Sequence, residues 1–354
     1  TSTNSSIGLI YALKKILLDK LIMKKLIIHP GLHKSGSTFL QEKFLFKLKN
    51  YENLSKNQID NQSQKSKLID LQYKLFIPKN SGSNINYPFN LSSRVNDYSE
   101  ELFFRIDNSK NDNFYLTDVN LADQNNYFGF FNISLLEDVI FQLKKKIDIQ
   151  IKFILTIRKQ YDLLFSWYTY DYERQKKNFR NIDIFFNSFK NDGNLTDIYN
   201  YNSLVKKLEK ISKEILIMPL ELIQSNKSEY FVKLEEFFNE KVNKEISFEK
   251  VNSNLSTTKD GEYNLRELKE TFFIKLLKKF YRKFYNSFIF KNKFFIEKIY
   301  PIVKKKFDVK KIDIVGKVSK DKSIETEFKN IYKKSNQDID NRYNLNLSKY
   351  DYYN

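Results

Sequence analysis

Short apolar runs alternate with longer amphipathic stretches along most of the chain. Lys25-Leu-Ile-Ile-His29 is apolar at successive positions, the pattern of a parallel strand buried on both faces. Thr38 to Leu48 then sets Phe39, Leu40, Phe44, Leu45 and Leu48 on one face of a helix. Asn113-Phe-Tyr-Leu-Thr-Asp118 reads as a second strand that ends on a polar residue. Asp148 to Ile157 reads as a third, with Ile151, Phe153, Ile154, Leu155 and Ile157 as its core, and Glu214 to Pro219 as a fourth. Between and after them lie helices at Ser134–Lys146, Gln160–Glu173 and Glu229–Phe238. The first of these carries a capping-box spacing, Ser134 with Glu137 three residues on. Strands alternating with helices predict an α/β fold, a central parallel sheet flanked by helices on both faces, with a helical C-terminal third.

Two regions break the alternation. Residues 50–112 are rich in Asn, Ser and Gln and carry Pro78, Gly82 and Pro88, which predicts a loop-rich insertion with short helices. Residues 264–330 form a basic helical region. Within it, Phe272–Lys311 holds 13 Lys and Arg against 2 acidic residues, Glu297 and Asp308. Phe, Tyr, Ile and Leu interleave with these charges at helical spacing, as in amphipathic helices with solvated lysine faces; the same face would also suit an anionic glycan or a lipid surface. Residues 1–22 read as an N-terminal extension, because Ile7 to Ile22 is apolar but broken by Lys14, Lys15, Asp19 and Lys20. Residues 23–354 read as a single domain. No apolar run reaches the roughly 18–20 residues of a membrane span, and no small-residue cleavage pattern follows the extension. The expected setting is the cytoplasm, with peripheral contact at the inner membrane surface.

Charge adds less than its size suggests. The net +18 comes from 53 Lys and only 8 Arg among the 61 basic residues, in a chain also heavy in Asn, Ile, Phe and Tyr. All are encoded by A/T-rich codons, so the excess needs no nucleic-acid partner, and none is expected. The rare residues are more informative. With no cysteine there is neither a disulfide framework nor a thiolate metal site. The 2 histidines, His29 and His33, stand alone, so no zinc or other metal is expected. Two of only 8 glycines, Gly31 and Gly36, flank His33.

The stretch Gly31-Leu-His-Lys-Ser-Gly36-Ser-Thr38 follows a strand and opens a helix, the place where backbone N–H groups gather around an anion. It makes the expected sheet P-loop-like. In the nucleotide-kinase loop G-x-x-x-x-G-K-[ST], a lysine follows the second glycine. Here Ser37 occupies that position and the lysine lies inside the loop, as Lys34. That argues against the first alternative, a small-molecule kinase; the second is a non-enzymatic basic protein that binds membrane or polyanion.

His33-Lys-Ser-Gly-Ser-Thr38 with Leu40-Gln41 resembles the 5′-phosphosulfate loop of bacterial sulfotransferases that use 3′-phosphoadenosine 5′-phosphosulfate (PAPS). The resemblance implies that Ser35, Gly36, Ser37 and Thr38 hold the 5′-phosphate, with Lys34 at the oxygen bridging phosphate and sulfate. A second motif matches in order. Arg158 ends the third strand and Ser166 follows eight residues later, the spacing of the family's 3′-phosphate motif. Arginine provides the bidentate fork that phosphate prefers, in a chain that otherwise favours lysine. Trp167, next to Ser166, reads as core. Weaker likenesses are Ile215 to Glu221, Val251 to Ser256, and Tyr343 to Tyr350.

The family's activity would be sulfuryl transfer from PAPS to a hydroxyl or amine, leaving 3′,5′-bisphosphoadenosine (PAP) and needing no metal. The expected acceptor is a carbohydrate or glycoconjugate, such as an acidic glycan or glycolipid. The candidate base is Asp118, at the end of the second strand where relatives carry a Ser-Ser-Glu-like segment; His33 is its rival. Relatives also place Arg-Lys-Gly over the 3′-phosphate. This chain has Thr258-Lys-Asp-Gly261 there, and Asp260 would repel the phosphate.

Overall fold

The structure is a computed structural model that describes residues 23–55, 68, 71–72, 75, 91–118, 121, 124–125, 130–170, 172, 179, 181–191, 197, 199–242, 262–269 and 311–354. The 1–22 extension, most of 56–90, the 251–261 segment and 270–310 lie outside it, and with them the expectations placed on those stretches. The chain divides into two compact units: 1–160 with 194–247 and 329–354, and 161–193 with 248–328.

The first unit is built on five parallel strands: β1 (Lys24–His29), β2 (Glu52–Asn53), β3 (Asn113–Thr117), β4 (Ile149–Ile157) and β5 (Ile215–Pro219). Their order is β2-β3-β1-β4-β5. Leu26 of β1 pairs with Phe114 on one side and Ile151 on the other. The four strands read from the apolar runs are all present, and β2 adds a short edge.

Because strand side chains alternate, each strand feeds two cores. Ile27, Tyr115, Ile154 and Met218 face one side, against Leu40 and Phe44 of the segment after β1 and Leu234 and Phe238 of a later helix. Those helices are α1 (Ser37–Lys43), continued by a 3-10 turn at Leu45–Lys47, and, further along, Lys227–Phe238. Leu26, Ile28, Phe114, Leu116, Phe153 and Leu155 are buried toward the other side. Fully burying one such side chain is worth about 1.5–3 kcal/mol.

The other helices follow in chain order: α2 (Leu91–Asp107), α3 (Asn132–Lys144), α4 (Gln160–Tyr170), α5 (Ile182–Asn191), α6 (Tyr201–Ile211), α7 (Leu220–Ser225), α8 (the Lys227–Phe238 helix) and α9 (Lys322–Tyr343). Two depart from the sequence reading. α2 runs 17 residues where short helices were expected, because Val95, Tyr98, Leu102 and Ile106 form a buried stripe within a polar composition. α3 starts at Asn132, which leaves Ser134 exposed inside its first turn instead of capping it.

In the second unit, Tyr161 stacks on Phe186 at 4.9 Å, and the half-buried Trp167 packs edge-on against Phe185 and Phe189 at 6.0 Å each. Lys320 Nζ pairs with Asp162 at 2.5 Å, and Tyr161 accepts from the Asp321 amide at 2.8 Å. The described part of the basic region is mixed: Tyr263–Lys269 pairs antiparallel with Lys311–Val318, with an irregularity at Leu265/Arg266, and the region ends helical in α9 from Lys322. Among the described residues no helix is long and apolar enough to cross a membrane.

Candidate functional site

β1 leads to β2 on one side of the sheet and β4 leads to β5 on the other. Their adjacent carboxyl ends are therefore a switch point, the place where open α/β sheets hold ligands. The Gly31–Thr38 loop leaves β1 at that point. Two of its residues take left-handed backbone conformations, Gly36 at φ 96° and Lys34 at φ 63°. For lysine that geometry costs about 1–3 kcal/mol, strain of the kind that clusters at ligand sites. The glycines are spatially required as well. A Cβ on Gly31 would lie 2.7 Å from Ser37 Oγ, and one on Gly36 would lie 2.5 Å from Leu220 Cδ1.

Arg158, just past β4, reaches this loop directly: its Nη1 donates to the Lys34 carbonyl at 3.2 Å. The two sequence motifs thus meet, and the arginine bonds the strained residue. The turn carrying Arg158 is fixed from below. Tyr201 accepts from the Arg158 amide at 3.3 Å and also donates to the Arg158 carbonyl. Glu221 accepts from the Lys159 amide at 3.2 Å through one oxygen and from the Tyr352 hydroxyl at 2.8 Å through the other. Burial raises the Glu221 carboxyl above its ordinary range, and the bonds from Tyr352 and Lys159 with the charge of Arg158 oppose this. Gln160 closes the set, donating to Asn336 Oδ1 at 2.8 Å, while Asn336 donates to the Tyr352 carbonyl at 3.1 Å. Ser166 lies in the second turn of α4, half-buried, within the second unit.

The predicted loop hydroxyls divide into two kinds. Thr38 is exposed, whereas Ser35 and Ser37 are buried beneath the loop. Ser35 Oγ bonds the Leu32 carbonyl at 2.8 Å and Thr156 Oγ1 at 2.8 Å. The Ser35 hydroxyl therefore supports the loop from within. Lys34 and His33 are half-buried on the loop itself.

Asp118 follows β3. Its amide donates to the His29 carbonyl at 3.2 Å, and its Oδ2 accepts from the buried Gln72 at 2.7 Å. A carboxylate held at a strand end beside the loop is equipped to take a proton. Sequence reasoning missed a polar tie across the three central strand ends. His29 Nδ1 meets Thr117 Oγ1 of β3 at 2.7 Å, and His29 Nε2 meets Thr156 Oγ1 of β4 at 3.2 Å. Two threonines closing otherwise apolar strands were the available signal. Tyr201, Glu221 and Tyr352 gave less, since each acts through partners far away in sequence.

No family model and no curated relative matches the chain. Among solved structures it is similar to a sulfotransferase from Alicyclobacillus acidocaldarius, at 12% identity and TM-score 0.37, over 65% of this chain and 87% of that one. It is also similar to the sulfotransferase domain of a Synechococcus olefin synthase, at 10% identity and TM-score 0.34, over 62% and 75% respectively.

Proposed function

We propose that this chain is a PAPS-dependent sulfotransferase that moves a sulfuryl group to a hydroxyl or amine of a carbohydrate or glycoconjugate. The observation that carries the reading is the meeting of the two anion motifs, Arg158 Nη1 on the Lys34 carbonyl at 3.2 Å. The loop's form supports it: close packing at Gly31 and Gly36 leaves backbone where side chains would stand, and Ser37 rather than lysine follows the second glycine.

PAPS would supply an activated sulfuryl group on a leaving bisphosphate. In this reading the backbone of Ser35 to Thr38 and the Thr38 hydroxyl hold the 5′-phosphate. Lys34 neutralises the negative charge that grows on the departing oxygen, the electrostatic contribution that usually dominates such steps. Arg158 holds the 3′-phosphate, a role its motif shares with Ser166. Asp118 takes the proton of the attacking hydroxyl, and Gln72 orients the carboxylate. His33 is the rival base. Any membrane contact or polyanion binding by the 272–311 stretch would bring acceptor to the enzyme.

The test is transfer of label from PAPS to a panel of glycans, lipids and small alcohols, with PAP and ATP·Mg compared in a binding assay. Transfer with micromolar PAP binding is the expected result. ATP·Mg binding without PAP binding would return the chain to the kinase reading.

A further inference from the structure

Beneath the loop, a file of side chains has one direction that gives each of its contacts of 3.3 Å or less a hydrogen. Gln41 Nε2 can only donate, and it does so to Thr117 Oγ1 at 2.8 Å. Thr117 then gives its own proton to His29 Nδ1 at 2.7 Å. His29 is buried, and burial lowers its pKa to about 3, so the ring is neutral and carries one proton. With Nδ1 accepting, that proton sits on Nε2 and is donated to Thr156 Oγ1 at 3.2 Å. Thr156 donates to Ser35 Oγ at 2.8 Å, and Ser35 donates to the Leu32 carbonyl at 2.8 Å. Ser37 Oγ, 3.3 Å from that same carbonyl, completes the end of the file.

The opposite direction fails by counting protons. Thr156 would give its proton to His29, and the single Ser35 proton would have to serve two oxygens, Thr156 Oγ1 and the Leu32 carbonyl, both at 2.8 Å. One close oxygen pair would then have no hydrogen between its members.

We infer that His29, fixed as its Nε2–H tautomer, is a positioning residue for the anion loop, setting the hydroxyl directions that hold the Leu32–Ser37 turn closed. It touches no ligand; it acts through Thr156 and Ser35. The inference rests on reading that loop as the 5′-phosphosulfate site. It separates the 2 histidines by role, since His33 lies on the loop and His29 beneath it.

The chain's 2 histidines make a direct test practical. In the full-length protein labelled with 15N-histidine, the signal lost in His29→Gln identifies His29. The expected wild-type spectrum has Nδ1 unprotonated and Nε2 protonated, unchanged between pH 8 and pH 5. A proton on Nδ1, or titration within that range, would overturn the assignment. PAP calorimetry gives the second arm. His29→Leu should weaken PAP binding about tenfold, the equivalent of one lost hydrogen bond. His29→Gln, which retains a donor toward Thr156, should remain within about threefold of wild type. Thr156→Val should match His29→Leu, and the double variant should be no worse than either alone. This also decides the matter if His29→Leu does not fold. Wild-type protein that binds no PAP overturns the functional reading. Tight PAP binding that neither His29→Leu nor Thr156→Val weakens overturns the positioning role alone.

Discussion

The Tyr352 hydroxyl is one oxygen atom at the far end of the chain, and removing it should loosen the turn that carries Arg158. Tyr352→Phe keeps the buried ring and deletes the donor that meets Glu221 Oε2 at 2.8 Å. A hydrogen bond to a buried charged partner contributes about 1.5–3 kcal/mol, so the folded state should lose that much where Glu221 is ionised. The pH dependence gives the sharper test. Burial already raises the folded-state pKa of Glu221, so this group's contribution to stability is full below its unfolded value and is lost as pH rises through the folded one. Without the phenol the folded value climbs further. The variant should therefore fall furthest below wild type near pH 8 and converge on it as pH drops through the variant's folded pKa. Urea unfolding of both proteins at several pH values from 5 to 8 measures this, and Glu221→Gln should remove the dependence. PAP affinity should weaken several-fold at pH 8, because the other oxygen of Glu221 holds the Lys159 amide beside Arg158. An equal loss at pH 5 and pH 8 would refute the reasoning.

Other substitutions separate the roles. Lys34→Ala should reduce kcat by at least about a hundredfold, whereas Lys34→Gly should do the same while raising stability by about 1 kcal/mol, since glycine tolerates φ 63°; a melting curve run beside the transfer assay shows both. Arg158→Ala should weaken PAP binding, and Arg158→Lys should not restore it, because lysine lacks the planar fork; calorimetry decides. Asp118→Asn should abolish transfer with PAP affinity nearly intact, and transfer at the wild-type rate would remove Asp118 as the base. Gly31→Ala should displace Ser37, whose Oγ lies 2.7 Å from the added carbon position, and weaken PAP binding with little change in secondary structure by circular dichroism.

Much of the sheet was legible because strands buried on both faces are dominated by apolar residues. Phe153 to Leu155 and Leu26 to Ile28 are unbroken apolar runs of that kind in a chain this polar. The Gly31–Thr38 loop stood out for a different reason: two of only 8 glycines fall in one short stretch between an apolar strand and a helix. α2 was not. Its buried positions, Val95, Tyr98, Leu102 and Ile106, are outnumbered by polar neighbours, and composition hid the spacing. The antiparallel ribbon was missed because lysine-rich amphipathic sequence suits an exposed ribbon as well as a helix, and period alone does not choose between them.

The supports of the site were hidden for a different reason. A residue that binds a ligand is constrained by chemistry that a motif can carry, the role proposed for Lys34 and Arg158. A residue that holds another in place is constrained only by what the fold brings to it. Glu221 and Tyr352 lie 131 residues apart, and His29 and Thr156 lie 127 apart. No local pattern links such pairs, because each partner satisfies a buried group whose need arises only once the sheet has formed. What betrays them is polarity out of place, a histidine and two threonines at the ends of apolar strands. Most buried polar atoms are matched, and these ones lead to the strained loop residue by way of Arg158 and to the loop's own hydroxyls by way of Thr156. The two sets thus end on one short turn, one at the Lys34 carbonyl and the other at the Ser35 hydroxyl. A change in either should therefore register first in anion affinity and only later in global stability.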